Sequence, residues 1–168
     1  PIWLHLHNHP SNFGRKAPFK IAGCDGVLAV SDFVRREVLQ MTPLDPEQVE
    51  VFPNCVDVRQ FDGVRYQKER AEIRSRFGIG ESDVVLLYSG RLVEKKGVDK
   101  LIEAFLKVDD PNLKLMLVGS GWYSSNGETP FVSRLKNLAD KAPGRVFLTG
   151  YIPFSEMPQH LFPIFICP

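Results

Sequence analysis

The sequence is short of several features that would announce a function directly. Cysteine is scarce: Cys24, Cys55 and Cys167 are the only three in 168 residues, and no CxxC pair occurs. That excludes a thiolate zinc knuckle of the usual spacing and a disulfide framework, and it points to a reducing cytoplasm. Neither sign of charge is in excess, since 21 Lys and Arg stand against 20 Asp and Glu for a net +1. A nucleic-acid partner held by a global positive field is thereby excluded, and any anion site must be local. No apolar run approaches the roughly 20 residues that span a bilayer. The opening residues also lack the basic, apolar and small-residue regions of a secretory signal. GxSxG, GxxxxGK[ST] and GxGxxG are all missing, which removes the familiar marks of serine hydrolases, P-loop nucleotidases and dinucleotide enzymes. The chain opens without Met in an apolar stretch and stops where a strand is finishing, so it reads as a piece of something longer.

What is present is an alternation. Hydrophobic residues make up 43% of the chain and charged ones 24%, enough for a packed core. VVLLYSG at 84–90, LKLMLVG at 113–119, VFLTG at 146–150 and PIFIC at 163–167 are short apolar runs separated by amphipathic stretches at 98–107 and 130–140. Continuous apolar runs are what strands buried on both faces look like, so the pattern predicts βαβαβ(α)β with a parallel sheet and right-handed crossovers. Val98, Leu101, Ile102, Phe105 and Leu106 fall on one helix face. Thr129 is placed to cap the next helix, with Pro130 at its first position. Upstream, the pattern predicts strands at 2–7, 25–30 and 49–52 and a helix starting at a Ser31 cap. Residues 67–78 read as a polar, solvent-facing helix stopped by Gly78 in the left-handed conformation. The expected organisation is a first domain over 1–54, a linker with its polar helix over 55–82, and a second domain over 83–168.

Three strand ends carry small or turn-forming residues: Ser89-Gly90, Gly119-Ser120-Gly121 and Thr149-Gly150. Ligands of open α/β sheets bind at such carboxyl ends, where glycines let backbone N–H groups approach a phosphate. Arg91 follows Gly90 directly, and Lys95, Lys96 and Gly97 precede the next helix. Two cations beside a helix N-terminus suit a pyrophosphate, although the same residues also read as a solvated charged loop. His5, His7 and His9 alternate, so a strand would set them on one face; that opens a rival reading as a metal-dependent hydrolase. Downstream only His160 is left to complete such a site.

Taken in order, LAVSDFVRREV (28–38), VEVFPNCVDVRQFD (49–62), LLYSGRLVEKKGVDKLIEAF (86–105), LKLMLVGSGW (113–122) and VFLTGYIPFSEMPQHLFPIFICP (146–168) resemble the retaining, nucleotide-sugar-dependent glycosyltransferases of family GT4, which have the GT-B fold. WLHLHNHP is similar to members that build bacterial cell-surface or spore-coat polysaccharides. The resemblance implies two Rossmann-like domains facing each other across a cleft, the first binding acceptor and the second the sugar nucleotide. It makes Arg91 and Lys96 the pair that clamps the donor diphosphate and stabilises charge on the leaving group. By the same match Ser89 and Gly90 form the turn that positions Arg91, and Gly119, Ser120 and Gly121 lie near the nucleotide. Tyr151 and Ile152 sit where backbone meets the nucleobase, and His7 lies near the donor sugar.

Two departures from the family pattern stand out: Cys55 occupies the Gly position of Pro-Asn-Gly-Val-Asp, and Glu94-Lys95-Lys96-Gly97 replaces Pro-Glu-Lys-Gly. The family's Glu-x7-Glu element is expected just beyond Pro168. The resemblance implies transfer of a sugar from a UDP- or GDP-sugar to a glycan or lipid-linked acceptor, without metal or other cofactor. The protein is expected in the cytoplasm, with peripheral association at the inner membrane face through a further part of the first domain. A sugar-nucleotide epimerase of the same fold and a non-catalytic nucleotide- or glycan-binding module are the alternatives.

Overall fold

The computed structural model describes residues 1–62, 64–122, 127–160 and 164–166. The chain divides into two compact units, the first Pro1–Asp57 and the second from Val58 onward.

The first unit is a parallel sheet of β1 (Trp3–Leu6), β2 (Gly26–Ala29) and β3 (Val49–Val51) in that order. β2 lies in the middle, and Val27 and Ala29 are fully buried there. Helix α1 (Ala17–Ala22) and helix α2 (Asp32–Met41) make the crossovers, and Ile21, Val34 and Val38 join Leu6 and Val49 in one core. Ser31 is extended and its hydroxyl accepts the Val34 N–H at 3.3 Å, so the expected cap forms. Arg35 ties α2 to β3 by donating to the Val49 carbonyl at 2.8 Å.

In the second unit β4 (Val84–Ser89), β5 (Leu113–Val118), β6 (Val146–Gly150) and β7 (Ile164–Ile166) are all parallel, in the order β6-β5-β4-β7. The chain steps outward from β4 through β5 to β6 and then returns to the far side of β4. That reversal beside β4 is the switch point at which doubly wound sheets hold ligands. The strands are apolar on both faces because both are covered. Tyr88, Leu115 and Leu117 pack with Ile102 and Phe105 of α4 (Val98–Phe105) and Leu135 of α5 (Pro130–Ala139). Val85, Leu87, Met116 and Val118 pack the opposite way, against Ile73 of α3 (Gln67–Arg76) and Ile79.

Three details differ from expectation or complete it. Helix α3 is polar but not free of the core: Ile73 is 4% exposed, and the Phe77 ring meets Phe147 at 5.4 Å, because the outer face of the sheet needs a cover. Gly78, at φ +64°, supplies the expected left-handed stop. Among the described residues between β6 and β7 lies a 3-10 stretch, Phe154–His160, in which Pro158 offers no N–H to an α-helix. Pro163 and Cys167, at the ends of the last expected strand, lie outside the described residues.

Candidate functional site

The carboxyl ends of β4, β5 and β6 are laced together by backbone. Gly90 N–H donates to the Val118 carbonyl at 3.0 Å, Gly119 N–H to Gly150 at 2.9 Å and Leu92 N–H to Ser120 at 2.8 Å. Gly119 has φ +143°, and a Cβ there would run into the Gly90 carbonyl oxygen. These two glycines therefore permit a close crossing of strands. The expectation that strand-end glycines turn their N–H groups toward a phosphate is corrected at Gly90 and Gly119, whose N–H groups are spent on completing the sheet.

Beneath this crossing Tyr88 is 1% exposed, and its hydroxyl donates to the Arg91 carbonyl at 3.0 Å. Burial holds the Tyr88 phenol above its ordinary pKa. Ser89, Gly90, Arg91, Gly119, Ser120, Tyr151 and Ile152 all line one open cavity of about 260 Å³, joined by Val118, Trp122, Phe154 and Met157. Seven of the ten residues to which the resemblance gives a role thus share one site at the strand ends, with Arg91 as its cation.

The other three are elsewhere. Gly121 packs against the start of α5, where a Cβ would fall 2.8 Å from Thr129 Cγ2. The Thr129 hydroxyl caps that helix by accepting the Val132 N–H at 3.2 Å. Lys96 is exposed in the short turn Glu94–Lys96 ahead of α4 and does not line the cavity. Lys95, beside it, is equally exposed. His7 is exposed just past β1, in the first unit.

The alternating histidines do not converge. His5 and His7 rings approach with centroids 4.2 Å apart. His9 turns to α2, where Nε2 meets the Glu37 carboxylate at 2.6 Å, while Nδ1 accepts the Ser11 N–H at 3.1 Å. The Ser11 hydroxyl is also within 2.6 Å of Nδ1. An Nδ1 that accepts a backbone N–H leaves Nε2 to donate to Glu37, which fixes the tautomer. Among the described residues no three His, Cys, Asp or Glu side chains gather as a metal-holding group. His160 is 5% exposed and bonds the Glu156 carbonyl at 3.0 Å.

A second cavity, about 230 Å³, shares Gly119 and Ser120 and reaches Glu128 and Lys136. Glu128 accepts from Lys136 at 2.9 Å and Ser133 at 3.1 Å, and the Lys136 bond chiefly holds its carboxyl below the usual range. Sequence reasoning gave no role to four residues of the cavity wall, Val118, Trp122, Phe154 and Met157, nor to Tyr88, the buried support of Arg91 behind it. Tyr88 was legible only as the last residue of an apolar run. Trp122 stood at the end of LKLMLVGSGW without a role.

The family model of glycosyl transferases group 1 matches residues 69–166, and that of Glycosyltransferase Family 4 matches residues 1–60. The protein YtcC of Bacillus subtilis is 28% identical over 148 residues, covering 84% of this chain and 36% of its own length. A GDP-mannose-dependent alpha-(1-6)-phosphatidylinositol monomannoside mannosyltransferase of Mycolicibacterium smegmatis is 36% identical over 95 residues, covering 54% of this chain and 22% of its own length. Alr3699/HepE of Anabaena, solved in complex with UDP and glucose, superposes with a TM-score of 0.76 at 23% identity, over 95% of this chain and 43% of that one. This chain therefore spans less than half the length of each of these relatives. The shared architecture is the GT-B fold. No helix among the described residues is long and apolar enough to cross a membrane.

Proposed function

This chain belongs to the glycosyl transferases group 1 family, and on that premise we propose that it is part of a retaining glycosyltransferase of family GT4 that moves a sugar from a UDP- or GDP-sugar to a hydroxyl of a glycan or lipid-linked acceptor. The observation that carries the reading is the cavity at the ends of β4, β5 and β6, which holds Arg91 beside the switch point of the sheet. A planar guanidinium suits two diphosphate oxygens at once. In the proposed reaction the glycosidic C–O bond breaks with its electron pair passing to the diphosphate, and the acceptor hydroxyl attacks from the same face, its proton passing to the departing diphosphate. Arg91 stabilises the charge that grows on the leaving group, and Lys96 supplies a second cation from its turn. No divalent ion is required in this scheme. His7 is assigned to the donor sugar. The bacterial cell-surface or spore-coat type and work at the inner membrane face are the finer parts of the same proposal.

The test is a donor screen on the intact protein, with release of UDP or GDP as the readout. Acceptor-dependent release from one nucleotide sugar supports the reading. Conversion of the sugar nucleotide without acceptor would replace it with an epimerase, and binding without turnover would leave a binding module.

A further inference from the structure

We infer that Trp122 is the stacking platform for the nucleobase of the donor, an assignment that rests on the diphosphate reading of the Arg91 cavity and deepens it. Trp122 is 58% exposed, so its indole is open to a ligand entering the cavity that it lines. It is also held from two sides. The Ser120 hydroxyl, on a residue 7% exposed, donates to the Trp122 carbonyl at 2.7 Å. The indole rests over Gly127, where a Cβ would fall 2.5 Å from Cδ1 and 3.0 Å from Nε1, so a larger residue there would push the ring away. An exposed ring that lies against Gly127, on a residue whose carbonyl is tied to Ser120, is preorganised for a planar ligand.

The surroundings select which planar ligand. Trp122 lines the same cavity as Arg91, and the rest of that wall includes Tyr151, Ile152, Phe154 and Met157 without any carboxylate. Sugar hydroxyls need several hydrogen-bonding partners, whereas a base needs an apolar face. Arg91 follows β4, Trp122 follows β5 and Tyr151 follows β6. Adjacent strands are spaced about 5 Å apart, so the aromatic wall begins one to two strand widths from the cation. A nucleoside attached to a diphosphate at Arg91 spans that interval.

The chain has two tryptophans, Trp3 and Trp122, so Trp3→Phe leaves one reporter in the second unit. UDP, GDP, inorganic pyrophosphate and free glucose are titrated against this variant by fluorescence and by calorimetry. The nucleoside diphosphates are expected to quench Trp122 and pyrophosphate to bind without quenching. Base–aromatic stacking predicts that Trp122→Ala weakens UDP or GDP by roughly fivefold to a hundredfold while pyrophosphate affinity holds, and that Trp122→Phe recovers most of the loss. Arg91→Ala should weaken both ligand types. If Trp122→Ala, with an unaltered circular dichroism spectrum, binds UDP and GDP as the parent does while Arg91→Ala does not, the platform assignment is wrong and the diphosphate reading survives. Quenching by glucose alone would also overturn the assignment. If the parent binds neither nucleotides nor pyrophosphate, the diphosphate reading fails and the platform falls with it.

Discussion

Arg91, Lys95 and Lys96 are three cations within six positions, and the structure treats them differently. Arg91 lines the cavity, its carbonyl fixed by Tyr88, whereas both lysines lie exposed on the next turn. If Arg91 stabilises charge that develops as the glycosidic bond breaks, its loss acts on the transition state more than on the bound donor. Arg91→Ala in the intact enzyme should lower kcat about a hundredfold or more with little change in stability. Lys96→Ala should do the same, and Lys95→Ala far less. Steady-state kinetics on the three variants decides this: equal behaviour of the two lysine variants would reduce the turn to a solvated surface. Tyr88 gives an independent test at the same scale. Tyr88→Phe removes one hydrogen bond, at a cost of about 1 kcal/mol. Burial raises the phenol pKa in the folded state above its ordinary 10.0. The stability from keeping that phenol neutral is therefore complete below pH 10 and is lost as pH climbs through the raised folded value. Urea unfolding at rising pH should show the parent losing stability above pH 10 more steeply than Tyr88→Phe; parallel curves would refute it.

At the scale of elements, the two helices whose caps were expected from sequence begin with the expected hydrogen bond. Ser31 starts α2, and Thr129 starts α5 beside the loop that carries Trp122. Each cap satisfies an N–H that the helix cannot, so Ser31→Ala and Thr129→Ala should each cost about 1 kcal/mol. Urea midpoints should fall with the slope of the transition unchanged, and Thr129→Ser should restore most of the loss. A Thr129→Ala variant as stable as its parent would mean that Pro130 and the packing of α5 alone set the helix start. The cap was legible because its signal is local: one hydroxyl, three residues ahead of its donor. The 3-10 path between β6 and β7 was less so. Pro158 argues against an α-helix there, but nothing in the sequence around it announces the tighter winding.

Across the molecule, what could be read early and what could not follow the range of the interactions. The parallel strands were legible because burial on both faces writes an unbroken apolar run. Short connections and a single handedness account for β4, β5 and β6 lying side by side, whereas the return of β7 to the far side of β4 is written in neither. The partners of individual side chains were not legible, since they come from far along the chain. Glu37 reaches His9 across 28 positions, and Ile73 reaches a sheet whose nearest strand starts at Val84. The histidine pattern is the sharpest case, because an alternation that would align three ligands on a strand is broken when β1 ends at Leu6. His9 then takes the role of a cap and a tie to α2. With a net charge of only +1, these 168 residues offer an anionic donor no general attraction, so the proposed scheme places the compensating charge on Arg91 and Lys96 and asks none of a divalent ion. Activity of the intact protein should then persist in excess EDTA and fall with salt, as a local ion contact is screened. Turnover that EDTA abolishes and manganese or zinc restores would shift the chemistry to bound metal and return His5 and His7 to consideration as ligands.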